Sequence, residues 1–479
     1  MVNFSLDTYK PAREVNFTKD QQNAIDGLIE FINGNWDANN FVVALTGPAG
    51  TGKTFSLNYV IKNCKYTGSV INCCTPTHKA CRILSNALDG KKVDTIQSTF
   101  GFRLYVNIDN FDPNNPLFKP IGKAKLGQCR LLIVDEASML NKELVKYIMN
   151  YCKKAEIKVI FTGDSSQLPP VNETHSLAFK LASRTFSLKE IVRQDAVNPI
   201  SNLLKILRKD IDNKSYNFID YITKHPSEFD STNSGYIVCD INQFSEQIKY
   251  NFQELDYTKD INLYKIICYK NDRVNQWNNF VRQVVVGDYK KVLNKDDLIM
   301  SYTSIVNEFN EIIFNNSEEY IIHDIIPSVD NEYKFDGYLV RFQAIYGGQI
   351  TPSMFVVNLK DNFTMQKYYN VITGLVENAK NGNDKVSGWK AYYSFKRKYL
   401  TINVIKDRLG KVIFDKDIDY GFALTSHKSQ GSTYNHVYVD LKDMIYTNKG
   451  TIFTNMDNVL RRIYVACSRA SKNLTILWK

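Results

Sequence analysis

The stretch Gly47-Pro48-Ala49-Gly50-Thr51-Gly52-Lys53-Thr54 is a complete G-x-x-x-x-G-K-T sequence. Glycines in such a turn let successive backbone N–H groups point inward at a phosphate chain, and the lysine reaches the terminal phosphates. An apolar run at residues 41–45 precedes the turn, and a stretch able to form a helix follows it. The order strand, loop, helix predicts a nucleoside triphosphate site in an α/β domain, with the Thr54 hydroxyl on Mg²⁺.

Composition indicates a globular protein of several domains. The 479 residues are 44% hydrophobic and 23% charged, enough for about two to four domains. The sequence has no apolar run of about 18 residues and no basic segment followed by an apolar one at its start, so we expect neither a membrane span nor a secretory signal. The nine cysteines include no C-x-x-C pair, which argues against a zinc site or a disulfide framework and favours a reducing cytoplasm.

The charge balance is compatible with a polyanionic partner. The formal net charge is +10, which suits nucleic acid, although many basic proteins bind none. The 29 tyrosines and 27 phenylalanines suit base stacking and equally suit ordinary cores. Composition therefore admits a nucleic-acid partner without selecting it.

The order of apolar and helical stretches predicts two α/β domains. Short apolar runs alternate with helical stretches up to about residue 190, and a second series of the same kind begins near residue 264; this alternation is typical of parallel sheets. Turn-rich sequence interrupts the first series as a predicted β-hairpin, the pin. The predicted division is a first domain at 1–190 with the pin at 100–126, a second domain at 191–297 and 402–479, and an inserted β-barrel with a basic aromatic helix at 298–401.

Two carboxylates and an amide follow apolar strands. Asp135 stands where a contact to Mg²⁺ is needed, and Glu136 can orient and deprotonate an attacking water; the alternative is a solvated acidic turn. Gln167 follows another apolar run, where a neutral amide can sense a γ-phosphate, or can cap a turn. These residues predict hydrolysis in addition to binding.

Two arginines distant in sequence are candidates for stabilising the transition state. Charge builds on the γ-phosphoryl oxygens during hydrolysis, and a guanidinium contributes most when another domain brings it in. Arg193 and Arg469 are these candidates. A surface ion pair is the alternative for either one, and residue chemistry alone does not select them.

Five motifs occur in one order along the chain and together resemble the motif set of superfamily 1B helicases, the RecD-like and Pif-type branch. Shared features also include the segments at 17–21 and 389–393 and both predicted insertions, so the resemblance covers nearly the whole chain. The motifs are residues 75–80 (TPTHKA), 135–138 (DEAS), 163–171 (GDSSQLPPV), 425–432 (TSHKSQGS) and 464–469 (YVACSR).

The resemblance implies two RecA-like domains with ATP and Mg²⁺ in the cleft between them, a pin in the first domain and an SH3-like β-barrel in the second. Lys53, Thr54, Asp135 and Glu136 keep the roles argued above. The other implied contacts are Gln21 at adenine, Gln167 between the γ-phosphate and DNA, Arg193 and Arg469 from the second domain, and Gln430 and Gly431 on the opposite wall.

The resemblance also implies that single-stranded DNA crosses both domains. Hydroxyl, imidazole and ammonium groups suit contacts to phosphate, although either histidine could equally be structural. Phe102 and Phe111 are candidates for the pin aromatic that parts the duplex. Trp389 and residues 396–398 could contact DNA, or could equally be barrel core and solvated face. The implied contacts are Thr77, His78 and Thr95 on the first domain, and Thr425, His427 and Lys428 on the second.

These expectations add up to an ATP-dependent DNA helicase that moves 5′ to 3′ on single-stranded DNA and opens duplex DNA, in phage-type replication or recombination. Expected partners are single-stranded and forked DNA and a single-strand-binding, replication or recombination protein. We expect a monomer without membrane contact, in the cytoplasm, which is the host's if a phage encodes it. An RNA-directed motor and a non-translocating nucleotide-dependent switch or loader are the alternatives.

Overall fold

The computed structural model describes residues 17–479, apart from 105–117, 171–172, 174, 191–197, 255–259, 286–289, 307–311, 315, 346–347 and 407–411. Within the described residues, the strands form three six-stranded sheets and three two-stranded ladders. None of the described helices is long and apolar enough to span a membrane.

The first sheet is wholly parallel and has the strand order β3-β2-β6-β7-β1-β8. Strands β1, β6 and β7 are buried along their whole length, as expected for a parallel sheet covered by helices on both faces. The strands up to residue 190 are β1 (Val42–Thr46), β2 (Ile71–Thr75), β3 (Val93–Thr95), β4 (Arg103–Leu104), β5 (Phe118–Lys119), β6 (Leu131–Val134), β7 (Lys158–Gly163) and β8 (Arg184–Ser187).

The helices of this region begin close to the carboxyl ends of strands. Helix α2 follows β1, α3 follows β2 and α4 follows β3, so three helix N-termini gather at one edge of the sheet, where unpaired N–H groups favour anions. The helices are α1 (Lys19–Asn33), α2 (Lys53–Asn63), α3 (His78–Ala87), α4 (Ile96–Phe100), α5 (Lys142–Lys154) and α6 (Leu177–Lys180), with 3₁₀ turns at Gly68–Val70 and Ala137–Met139.

Only the stem of the predicted pin lies within the described residues. Strands β4 and β5 pair antiparallel there, Arg103 opposite Lys119. The half-buried ring of Phe102 packs edge-on against Tyr147 of α5, with 5.0 Å between ring centroids. Phe111 lies outside the described residues. The pin as a strand-separating device therefore stays a prediction.

The rest of the chain forms the other two large sheets. Its strands are β9 (Ser227–Phe229), β10 (Gly235–Cys239), β11 (Tyr264–Cys268), β12 (Leu298–Ser301), β13 (Ile305–Val306), β14 (Ile312–Phe314), β15 (Glu319–Val329), β16 (Asp336–Ala344), β17 (Met354–Val357), β18 (Tyr399–Leu400), β19 (Ile405–Lys406), β20 (Val412–Phe414), β21 (Ile418–Tyr420), β22 (Ala423–Thr425), β23 (Tyr434–Asp440) and β24 (Ala470–Leu477). Its helices are α7 (Ile200–Asn213), α8 (Asn217–Lys224), α9 (Ile241–Glu254), α10 (Asn271–Val285), α11 (Asn362–Asn381), α12 (Lys385–Lys398), α13 (Leu441–Ile445) and α14 (Met456–Cys467).

The second sheet has the order β22-β11-β23-β24-β10-β9 and is parallel except for the antiparallel edge strand β9. The chain leaves this sheet after β11 and α10 and returns at β22. The order of elements confirms the predicted α/β class, with the second parallel sheet assembled from two separated stretches of sequence.

The third sheet is built from the intervening stretch and has the order β18-β17-β16-β15-β12-β21. It is antiparallel except between β17 and β18. Its last strand, β21, lies beyond the predicted boundary at residue 401. Side chains of the second and third sheets share one hydrophobic cluster, which includes Ile266 and Val340. An SH3-like barrel stays a prediction for this region.

Candidate active site

The loop between β1 and α2 can be built only with glycine at its key positions. Gly50 and Gly52 have φ values of 84° and 82°, in the left-handed region that side chains disfavour. A Cβ on Gly47 would lie 2.7 Å from the carbonyl oxygen of Leu188, so no larger residue fits. The loop therefore wraps its backbone closely around the N-terminus of α2, as phosphate binding requires.

Lys53 and Gln21 make direct contacts to this loop. The Lys53 Nζ donates to the carbonyl oxygens of Gly47 at 2.7 Å and Pro48 at 2.9 Å, which holds the ammonium over the loop. The buried Gln21 donates from Nε2 to the Thr51 carbonyl at 3.0 Å, and its Oε1 accepts from the Thr18 N–H in a capping box. Gln21 thus supports the loop, and its contact with adenine stays a prediction.

The two carboxylates lie at the end of β6. Glu136 has φ 53°, a strained value for a residue with a side chain, and such strain is frequent at functional sites. Its Oε2 is buried and has no hydrogen-bond partner among the described residues. Burial, with the charge of Asp135 beside it, raises the pKa of Glu136 to about 7, although Arg469 and Lys53 act in the opposite direction. A carboxylate with that pKa suits a general base at neutral pH.

Gln167 occupies a turn after β7, and its side chain does not cap that turn. The backbone N–H of Gln167 donates to the Asp164 carbonyl at 3.2 Å, whereas its side-chain Oε1 is buried without a partner among the described residues. The side chain lines the same cavity as Glu136. The arrangement favours the role at the phosphate over the alternative of a turn cap.

The second sheet supplies the opposite wall. Arg469 is buried, and its guanidinium donates from Nε to the Val465 carbonyl and from Nη1 to the Ser432 carbonyl, both at 3.1 Å. Gly431 faces Glu136, because a Cβ there would lie 3.7 Å from Glu136 Oε1. Gln430 donates to the Leu168 carbonyl at 3.2 Å. Arg193 lies outside the described residues.

These residues enclose one cavity of about 590 Å³ between the first and second sheets. The donors fit a triphosphate with Mg²⁺: inward N–H groups and an ammonium for phosphate, and the Thr54 hydroxyl and Asp135 carboxylate for a hard cation. The cavity therefore joins most of the predicted nucleotide residues that the structure describes; Gly47, Pro48, Thr51 and Gln430 are not part of its lining. Its lining includes Gln21, Ala49, Gly50, Gly52, Lys53, Thr54, Asp135, Glu136, Gln167, Gly431 and Arg469.

The predicted DNA residues of the first sheet lie at the helix N-termini. The Thr77 hydroxyl accepts from the Ala80 N–H and caps α3, and Thr95 caps α4 in the same way. His78 is half-buried, and burial lowers the pKa of its imidazole. These residues thus stand side by side at one sheet edge, where helix ends favour phosphate.

The second group of predicted DNA residues follows β22. Burial, with the charge of Arg462, lowers the pKa of His427. The Lys428 Nζ lies 3.5 Å from the ring centroid of Tyr302, and burial lowers the pKa of this lysine to about 8. The Thr425 hydroxyl accepts from the Lys428 N–H at 3.3 Å. DNA contact by these three residues stays a prediction.

A buried ion cluster joins helix α3 of the first unit to the second and third sheets, and sequence reasoning missed it. Glu319, the first residue of β15, accepts from Lys265 of β11 at 2.6 Å and from Lys79 of α3 at 3.0 Å. Both lysines also face the ring of Tyr434. Lys79 belongs to the motif at residues 75–80, but no spacing in the sequence connects it to Glu319.

Trp389 is 1% exposed and belongs to a hydrophobic cluster formed by α11, α12 and the third sheet. This burial favours the core alternative over DNA stacking. We expect Trp389→Ala to lower the free energy of unfolding by about 3–5 kcal/mol, because it removes a large buried side chain. Urea denaturation would measure this loss, and Trp389→Phe should retain most of the stability. A Trp389→Ala variant with wild-type stability and weakened DNA binding would contradict the core assignment.

Comparison with known proteins places these features in a family context. A family model described as an AAA domain matches residues 18–224. The uncharacterised protein R530 of Acanthamoeba polyphaga mimivirus is 24% identical over 524 residues, covering 96% of this chain and 99% of that protein. The ATP-dependent DNA helicase dda of Enterobacteria phage T4 is 27% identical over 322 residues, covering 63% of this chain and 66% of the phage protein.

A solved structure shares the fold across almost the whole chain. It contains two coordinating Pif1 helicases and concerns DNA unwinding at forked double-stranded DNA. Its TM-score is 0.50 at 16% sequence identity, covering 96% of this chain and 92% of the Pif1 chain. The predicted pair of RecA-like α/β units is thereby confirmed.

Proposed function

Because the chain belongs to the superfamily 1B helicases of the Pif1 and RecD branch, we propose that it is an ATP-dependent DNA helicase that moves 5′ to 3′ along single-stranded DNA. One observation supports this most directly: the phosphate loop and Glu136 face Arg469 of the second sheet across one cavity. A site divided in this way is complete only when the two units approach each other. Hydrolysis is then coupled to movement.

The residues at the first sheet bind the nucleotide and activate the attacking water. The loop N–H groups and the Lys53 ammonium hold the phosphates, and Thr54 and Asp135 hold Mg²⁺, which neutralises phosphate charge when bound. Glu136 accepts the proton of the attacking water, as its pKa near neutrality allows. Gln21, which supports the loop through the Thr51 carbonyl, contacts adenine.

The remaining groups connect this chemistry with the second unit. Gln167 orients the water and senses the γ-phosphate, and the guanidinium of Arg469 stabilises the charge that develops there. We also assign Arg193 to this role, as the family resemblance implies. Single-stranded DNA crosses the starts of α3 and α4 and the segment 425–428, and alternate grip and release of its backbone produces translocation.

The direction of movement is tested by unwinding assays on duplexes with a 5′ tail, a 3′ tail or blunt ends. We expect ATP-dependent opening of the 5′-tailed duplex and at least about tenfold slower opening of the other two, a difference of about 1.4 kcal/mol or more in the barrier. Opening of the 3′-tailed duplex alone would refute the direction. Stronger stimulation of ATP hydrolysis by an RNA oligonucleotide than by DNA of the same sequence would indicate an RNA motor.

The proposal extends to the cellular process, the oligomeric state and the protein partners. We place the protein in phage-type DNA replication or recombination, acting as a monomer in the cytoplasm beside a single-strand-binding or replication protein. The phage and viral relatives support this setting. Sedimentation with and without forked DNA would test the oligomeric state.

A further inference from the structure

The turn that carries Gln167 belongs to the first sheet, but helix α14 of the second unit holds it. The Arg461 Nη1 donates to the Ser165 carbonyl at 2.6 Å and to the Gln167 carbonyl at 3.3 Å. The Tyr464 hydroxyl donates to Asp164 Oδ2 at 2.7 Å. Two side chains of α14, one helical turn apart, therefore form hydrogen bonds with neighbouring residues of the loop that carries Gln167.

Four of the residues in these contacts are buried, so losing one of their hydrogen bonds costs free energy. Arg461 is 6% exposed and Tyr464 is fully buried, and Asp164 and Gln167 are also buried. Loss of a donor would leave a buried carbonyl or carboxylate oxygen unpaired, which is costly. Asp457, one turn earlier in α14, accepts from Arg461 Nε at 2.7 Å and fixes the direction of the guanidinium.

The contacts of α14 with this turn bear on the orientation of Gln167. The backbone on both sides of Gln167 is fixed, at the Ser165 and Gln167 carbonyls by Arg461 and at the Leu168 carbonyl by Gln430. Gln167 meanwhile lines the cavity that Glu136 and Arg469 also line, and its Oε1 is buried without a hydrogen-bond partner among the described residues. The second unit thus supplies both a charged group at the cavity and the support of the opposing amide.

We propose that Arg461 and Tyr464 are positioning residues for hydrolysis, which hold Gln167 in its working orientation only while the second unit is docked. The proposal rests on the proposed function. When α14 withdraws, Ser165 and Gln167 lose a shared donor and Asp164 loses the phenol, so the turn relaxes. Hydrolysis is then confined to the docked state by two independent requirements, the arrival of Arg469 and the alignment of Gln167.

Steady-state ATP hydrolysis with saturating single-stranded DNA tests the proposal on the full chain. We expect Arg461→Gln to lower kcat about tenfold or more while the Kd for a fluorescent ADP analogue changes less than about twofold, because misplacement of a catalytic group can cost about 10²-fold. Arg461→Lys should recover part of the rate, since lysine keeps the charge without the planar fork. Tyr464→Phe should lower kcat by a smaller factor.

A control separates positioning from general weakening of α14. Asn455 caps this helix by accepting from the Asn458 N–H at 3.0 Å, its side chain is exposed, and it forms no hydrogen bond with a described residue of the first unit. Asn455→Ala should reduce thermal stability and leave kcat close to wild type. A fall in kcat as large in Asn455→Ala as in Arg461→Gln would overturn the proposal.

A double-mutant cycle with Gln167→Ala gives the sharpest test. If Arg461 acts through Gln167, adding Arg461→Gln to Gln167→Ala should change kcat less than about twofold. Multiplied effects of the two substitutions, or an unchanged kcat in Arg461→Gln alone, would refute the proposal. Failure of the helicase function itself is recognised separately, because wild-type protein would then show no stimulation by DNA.

Discussion

Lys53→Ala should abolish DNA-stimulated ATP hydrolysis, with kcat lowered by about 10²–10³-fold or more, and should stop unwinding with it. The loss follows from the position of the ammonium, which lies over the loop between the carbonyls of Gly47 and Pro48. A preorganised cation directed at developing negative charge is worth about 10²–10³ in rate. Hydrolysis assays and unwinding of a tailed duplex on one preparation would measure both losses.

A lysine in the same helix provides the matched control. Lys62 lies in the last turn of α2, is largely exposed and pairs with Asp89, an arrangement that contributes little to stability. Lys62→Ala should therefore hydrolyse ATP and unwind DNA at wild-type rates. Circular dichroism should show both variants folded. Unwinding by Lys53→Ala at the wild-type rate would refute the assignment of this cavity as the motor's ATP site.

The phosphate loop could be predicted from sequence because its structure is local. Gly50 and Gly52 have positive φ because the turn itself requires it, and the buried strand before the turn is a run of consecutive apolar residues. The same reasoning applies to Asp135 and Glu136, which directly follow the buried strand β6. In each case the chemistry lies within a few residues of an apolar strand, so a linear pattern contains the information.

The contacts between units could not be predicted in this way. Arg461 and Ser165 are brought together only by the packing of α14 on the turn after β7, and Glu319 meets Lys79 only because the third sheet packs beside α3. The motif at residues 464–469 singles out Arg469, but it does not indicate that Arg461, in the preceding helix α14, contacts the turn after β7. Trp389 illustrates the same limit, since an aromatic in a basic helix suits DNA or a core until burial is known.

The ion cluster at Glu319 is compatible with separation of the first unit from the rest of the chain. Lys265 and Glu319 both lie beyond the first sheet and remain paired if α3 moves away, so separation of Lys79 leaves no isolated buried carboxylate. An isolated buried charge would be strongly destabilising. The cluster is therefore suited to reversible contact between the first unit and the rest of the chain, as cyclic opening requires.

The second large effect is expected at Glu136. Glu136→Gln should lower kcat by about 10²–10⁴-fold, the usual contribution of a general base, while nucleotide affinity is retained or increased because a buried negative charge near the phosphates is removed. Equilibrium binding of a fluorescent ATP analogue and single-turnover hydrolysis would separate the two effects. Glu143→Gln, a change of the same chemistry at the exposed start of α5, should leave both unchanged.

The pH dependence of this variant follows from the raised pKa of Glu136, about 7 in the folded protein. A carboxyl group whose pKa is raised by folding contributes stability below its unfolded pKa, near 4.3, and that contribution is lost as pH rises through 7. Glutamine cannot ionise, so Glu136→Gln should unfold near the wild-type temperature below about pH 4 and at a higher temperature than wild type at pH 8. The kcat/KM of the wild-type enzyme should rise with pH up to about 7. A melting temperature of Glu136→Gln below wild type at pH 8 would show that this carboxylate is stabilised in the fold, and would exclude it as the base that burial keeps near neutrality.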